Sequence, residues 1–119
     1  MITNYELVIH KELRNKPATI SSVQAQVWTI RQNSNIRVNL VEMKGKLSLH
    51  KHPDADHSIM VFEGSLIATV GDKEITLKKG DFLTIPRNIP HKYQTITPVA
   101  LIISMDAPYY DPKKTIALE

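Results

Sequence analysis

Four histidines in this chain are spaced as ligands for a single metal ion. Three of the five that the chain contains fall in the run His50-Lys51-His52-Pro53-Asp54-Ala55-Asp56-His57, and His91 follows a second segment punctuated by Gly80, Pro86 and Pro90. In an extended strand the side chains alternate between faces, so His50 and His52 project to one side and Lys51 to the other. Two imidazoles about 7 Å apart on one strand face can reach a common point. Pro53 to Asp56 reads as a turn, because proline cannot donate to a ladder and aspartate readily bonds its own backbone. That reversal brings His57 back beside the first pair. Asp56 and His57 are neighbours on a strand entrance, so only one of them faces inward. Asp54 and Asp56 are read as turn formers, with Asp56 replacing His57 as a ligand only under a shorter spacing.

The chemistry follows from the donor type. The chain has no cysteine, so disulfides, thiolate nucleophiles and cysteine-based metal or iron–sulfur sites are excluded, and any ion is expected on nitrogen and oxygen. Without a cation, four clustered imidazoles would leave a polar barrel mouth in which protonated rings repel and neutral nitrogens lack partners. A divalent transition metal satisfies all four at once. Imidazole suits Fe, Mn, Ni, Cu and Zn, and affinity order alone does not select among them. Four neutral ligands on an octahedral ion leave two positions open and the full 2+ charge uncancelled, which favours an anionic oxygen ligand.

The elements that must position these side chains read as β throughout the second two thirds of the chain. Val27, Trp28 and Ile30 mark a strand from Gln24 to Arg31, and Gln32-Asn33-Ser34-Asn35 marks a turn. Ile36 to Met43 alternates apolar and polar residues, as a half-buried strand does. Strands are predicted over 58–63, 66–70, 74–77, 82–85, 91–96 and 99–105, joined by turns at Gly64-Ser65, Gly71-Asp72-Lys73, Lys78 to Asp81 and Pro86 to Pro90. Tyr5 to Leu13 fits a short helix or a strand, and His10 within it reads as a surface or packing histidine. Trp28 reads as packing over a barrel end. The tail from Asp106, with Pro108, Tyr109, Tyr110 and Pro112, has no clear period and is expected on the outside or against a partner. Many short, evenly spaced strands indicate an all-β antiparallel sandwich or small barrel.

At 119 residues the chain fits one domain, and 42% hydrophobic content is ordinary for a globular fold. No run approaches the roughly 18 apolar residues of a membrane-spanning helix. Met1 to Glu6 lacks the basic and apolar regions of a secretion signal, so a cytoplasmic location is the expectation. The net charge of +3 is carried by lysines scattered singly or in pairs without interleaved aromatics, which argues against nucleic-acid binding.

The segment Gly45 to Gly64 resembles the first motif of the cupins, Gly-x(5)-His-x-His-x(3,4)-Glu-x(6)-Gly, with Gly45 one residue closer to His50 than usual. Gly80 to Thr95 resembles the second, Gly-x(5)-Pro-x-Gly-x(2)-His-x(3)-Asn, with Asn88 in place of the glycine and Thr95 in place of the asparagine. The paired histidines fall on His50 and His52 and the second-motif histidine on His91. His57 occupies the glutamate position, giving an all-histidine site. The resemblance implies a jelly-roll barrel, also termed a double-stranded β-helix, with a core over residues 36–105, N-terminal strands within 1–35 and a tail over 106–119. It also implies a homodimer formed through the N-terminal strands.

Cupins host several chemistries on one scaffold. A small oxidoreductase of dioxygenase type, using Fe or Mn on an anionic small molecule, is the leading expectation. A metal-dependent isomerase or lyase is the alternative within enzymes, weakened by the absence of a motif glutamate to act as base. A non-catalytic module binding a small metabolite is the alternative from another class. Arg37, Tyr93 and Thr95 are the candidate substrate-pocket residues, the last two sharing the inward parity of His91 on a regular strand.

Overall fold

Asn33 closes the turn that joins the antiparallel strands 25–32 and 37–43: its Oδ1 accepts the backbone N–H groups of Asn35 and Ile36 at 2.8 and 3.1 Å. The computed structural model describes residues 7–108 and 111–119. The expectations placed on Met1 to Glu6, and on Tyr109 and Tyr110, lie outside the described residues.

Among the described residues, eleven strands follow a single turn of helix, α1 (His10–Leu13). They are β1 (Ile20–Ser21), β2 (Ala25–Gln32), β3 (Arg37–Met43), β4 (Lys46–Lys51), β5 (Asp56–Glu63), β6 (Ser65–Val70), β7 (Lys73–Lys78), β8 (Phe82–Ile85), β9 (His91–Thr95), β10 (Ala100–Ala107) and β11 (Ile116–Ala117). One sheet runs β1-β2-β3-β10-β5-β8 and the other β11-β4-β9-β6-β7, with every pairing antiparallel. This is the expected all-β sandwich of jelly-roll type.

The two inner faces bury Met43, Ile59, Val61, Leu66, Ala68, Leu77, Ile85, Ala100 and Ile102 against one another. Fully burying each large aliphatic side chain here contributes about 1.5–3 kcal/mol. Alternation sets which residues these are: Ile59 and Val61 on β5, and Leu66 and Ala68 on β6, point inward at every second position. Trp28 is buried as expected, and its indole N–H donates to the Lys16 carbonyl at 2.9 Å. The ring of His10 meets the edge of Phe62 at 5.3 Å, a packing role.

Two strands were not expected. The pair Ile20–Ser21 is too short for any period to register, and Ile116–Ala117 lies in the tail. That tail does not simply lie outside: Asp106 and Ala107 continue β10 with Asp106 buried, and β11 pairs with β4, setting Ile116 opposite Lys51 and Ala117 opposite His50. Asn88 has φ 69°, the left-handed conformation that asparagine tolerates in place of the motif glycine.

Candidate metal centre

Strand β4 ends at Lys51 and β9 begins at His91, and in their antiparallel pairing His50 stands opposite His91. The register of this pair shifts between Leu47 and His50, an irregularity of the kind that re-aims side chains next to sites. His52 follows just beyond β4, and its carbonyl accepts the Asn88 N–H at 2.7 Å, so the proline-fixed loop clips the chain beside the ring. The ring centroids of His50 and His91 are 4.3 Å apart, and that of His52 is 5.0 Å from each. One nitrogen from each of the three rings lies within 4.8 Å of the others.

Two of the rings have their tautomer set by backbone. His50 Nδ1–H donates to the Ser48 carbonyl at 2.7 Å, and His91 Nδ1–H to the Ile89 carbonyl at 2.9 Å. A carbonyl only accepts, so in each neutral ring Nε2 keeps the lone pair. His91 Nε2 is buried and has no hydrogen-bond partner among the described residues. Burial, reinforced by the neighbouring histidines, lowers the pKa of His52 to about 2, and burial above all lowers that of His91 to about 3. His50 is lowered for the same first reason. Three neutral imidazoles, two held with Nε2 free to bind, fit one divalent transition metal.

His57 is brought close but held differently. Its ring lies 4.7 Å from that of His52 and stacks 5.5 Å from that of His91, while its donor atoms fall outside the group of three. Its Nδ1–H donates to Asp106 Oδ1 at 2.6 Å. Asp56, its neighbour, turns the other way: its carboxylate accepts the backbone N–H of Arg87 at 2.9 Å. Asp54 pairs with Lys114 at 3.3 Å. Both turn aspartates are thus engaged away from the histidines.

A cavity of about 230 Å³ opens onto this cluster, lined by His50, His52 and His57. Arg37 and Tyr93 line it as well and are buried. Thr95 does not: its hydroxyl accepts the Gly45 N–H at 2.8 Å and so fixes the turn into β4. Inward parity placed Thr95 on the right face, but the strand ends there and the turn claims the side chain. Asp106, Asn39 and Ser104 belong to the cavity wall and were missed. The signal was present, since Ile102, Ser104 and Asp106 share one parity on β10 and continue an inward-facing row past the apolar run.

Residues 39–105 match the family model described as the cupin domain, more than half of the chain. The chain belongs to the cupin family. Among sequence relatives, an uncharacterised protein of Methanocaldococcus jannaschii is 33% identical to this cupin over 81 residues, 67% of this chain and 65% of that protein. The match thus spans just under two thirds of that relative's length. A cupin-2 domain protein of Shewanella frigidimarina is similar at 27% identity and a TM-score of 0.63, covering 69% of this chain and 79% of that one. The structure named KdgF from Halomonas superposes with a TM-score of 0.79 at 18% identity, covering 92% of this chain and 99% of its own. At that identity the likeness is one of fold.

Proposed function

We propose that this cupin is a metal-dependent enzyme acting on a small anionic molecule, by dioxygenase-type oxidation with iron or manganese as the ion. The observation that carries the reading is the convergence of His50, His52 and His91, all held neutral, beside a cavity that His50 and His52 line together with a buried guanidinium. A ferrous or manganous ion bound there would supply Lewis acidity and a means of activating dioxygen. The chain's own residues do the rest. His50, His52 and His91 would hold the ion, with His57 as a fourth donor. Arg37 would attract and orient the anion, and Met43, Leu47, Ile59 and Ile102 give the cavity an apolar lining that excludes water.

One observation favours a second reading, isomerisation or lyase chemistry without dioxygen. The motif lacks a glutamate, but the pair His57–Asp106 puts a group able to hold a proton at Nε2 on the cavity wall. This removes the objection to redox-neutral chemistry and makes zinc or nickel an equally suitable ion. A non-catalytic small-molecule module is the third outcome.

Elemental analysis of anaerobically purified protein, then turnover of small organic acids with and without oxygen, separates them. Oxygen uptake matched to substrate loss supports the dioxygenase; equal turnover under nitrogen supports the isomerase or lyase. Tight binding without turnover in either condition leaves the binding module. A homodimer is part of the proposal, supported by exposed Ile20 and Val23 beside the edge strand β1, and is tested by sedimentation.

A further inference from the structure

Arg37 is a buried cation whose donors are only partly used. The side chain is 5% exposed, its Nη2 donates to Thr29 Oγ1 at 3.2 Å, and its Nε is buried without a hydrogen-bond partner among the described residues. Among the described residues no carboxylate lies within ion-pair distance of it, and it is the only cationic side chain among them, other than histidine, on the cavity wall. A desolvated guanidinium left in this state costs several kcal/mol unless an anion meets it.

The surroundings are built to hold that guanidinium still. Thr29 Oγ1 accepts from Arg37 and donates in turn to Asn39 Oδ1 at 3.0 Å, and Asn39 Nδ2 donates to Ser104 Oγ at 3.4 Å. This chain of bonds crosses three neighbouring strands on the inner face. The one acidic group in the same row, Asp106, sits opposite Arg37 in register but its carboxylate takes the Nδ1–H of His57 instead. From the facing sheet Tyr93 contributes a second buried donor, its hydroxyl also without a hydrogen-bond partner among the described residues.

We infer that Arg37, with the Tyr93 hydroxyl, forms a carboxylate-binding subsite in this cavity, and that the ligand is a small carboxylic acid carrying a second oxygen function. Guanidinium binds carboxylate through parallel N–H···O bonds, and the free Nε supplies one edge of that fork. Arg37 and His57 flank Asp106 in one row across β3, β10 and β5, so their Cα atoms are about 10 Å apart at ordinary strand spacing. A carboxylate on Arg37 therefore leaves a short hydroxy or oxo acid directed at the histidines. The cavity of about 230 Å³ has room for such an acid. The inference rests on the proposed enzyme reading for the second oxygen function, but the subsite itself does not need the metal.

The test is calorimetric titration of the full-length protein, chelator-stripped and metal-loaded, with lactate and pyruvate and with the corresponding uncharged amides. Wild type should bind the acids at least about tenfold more tightly than the amides, as expected for loss of a charge-assisted bond. Arg37→Gln should lose at least about tenfold in acid affinity with amide affinity unchanged, and Arg37→Lys should recover part of it. Acid and amide binding equally well to wild type, or no acid binding at all, overturns the subsite; neither result depends on a variant folding. Arg37-dependent acid binding in a protein that takes up no metal keeps the subsite and removes the enzyme. Metal uptake with acid binding indifferent to Arg37 does the reverse.

Discussion

His57 and Asp106 face each other across the pairing of β5 with β10, with ring Nδ1 2.6 Å from the carboxylate Oδ1 and the aspartate 3% exposed. A carboxylate so engaged fixes the ring's orientation and puts the hydrogen on Nδ1, leaving Nε2 with its lone pair in the neutral form. Asp106→Asn keeps the shape but lets either nitrogen carry the hydrogen. If His57 completes the centre, metal affinity should fall about 10–100-fold, the range seen when such an orienting partner is lost. Competition against a chelator of known affinity measures this, and an unchanged affinity would show that the ion does not use His57.

The ligand set itself is separated by single substitutions. Alanine at His50, His52 or His91 should abolish stoichiometric metal binding, because each removes one donor from a group of three. His57→Ala should lose much of the bound metal, whereas Asp56→Ala should retain it, since that carboxylate serves the Arg87 backbone. Metal analysis after dialysis reads all five. A metal-free Asp56→Ala beside a metal-replete His57→Ala would mean that the turn presents its aspartate in solution.

Acid should destabilise the metal-free protein through His52 and His91. Their folded pKa values, about 2 and about 3, lie below the unfolded 6.5, so between those limits the unfolded chain binds protons that the folded one does not. Stability is therefore complete above pH 6.5 and falls as pH drops towards 3, at most by about 1.4 kcal/mol per pH unit for each histidine. Urea titrations of chelated protein between pH 7 and pH 4 measure the slope. His91→Gln should be shallower by up to one histidine's share, and a slope identical to wild type would place the acid sensitivity elsewhere.

The first-motif glycine has a structural reason that the second's replacement does not share. Gly64 has φ 80°, and a Cβ built there would lie 2.5 Å from the Val99 carbonyl oxygen and 2.6 Å from Thr97 Oγ1. Gly71 has φ 60° with nothing within 4 Å. Gly71→Ala should cost about 1–2 kcal/mol, the left-handed backbone term alone. Gly64→Ala should cost distinctly more, because the carbonyl it meets is fixed backbone between β9 and β10. Thermal denaturation of the two variants side by side tests the order, and equal losses would contradict the close approach.

How much of this was legible depends on how local each signal is. Strand alternation, the Gly71-Asp72 hairpin and the Pro86 to Pro90 loop depend on neighbouring residues, and β8 falls on the predicted Phe82–Ile85. The histidine spacing located the ring cluster because both motifs sit at strand ends that the barrel brings together. The inward parity of Asp106 was readable, but its pairing with His57 was not, because the partner is 49 residues earlier and only the β5–β10 register joins them. Thr95 was misplaced because parity is a statement about a strand, and the strand stops there. β11 was invisible because two residues carry no period, so its pairing with β4 is a tertiary fact.

That last pairing leads to a prediction about the histidines it touches. β4 would be an edge strand were it not covered: Leu118 N–H donates to the Leu49 carbonyl at 3.0 Å, and Leu49 N–H donates to Glu119 Oε1 at 2.9 Å. Thr115 lines the cavity at the same end. The strand that carries His50 is thus held on one side by β9 and on the other by the last residues of the chain, and positional precision of a ligand depends on such support. A chain ending after Lys114 should exchange the Leu49 amide hydrogen faster, and should bind metal more weakly while keeping its β content by circular dichroism. Glu119→Gln should reproduce part of the exchange effect, because the hydrogen bond from Leu49 is what lowers the carboxyl's pKa, and a neutral amide accepts it less strongly. Leu49 exchange and metal affinity that are both indifferent to the truncation would show that β9 alone positions His50.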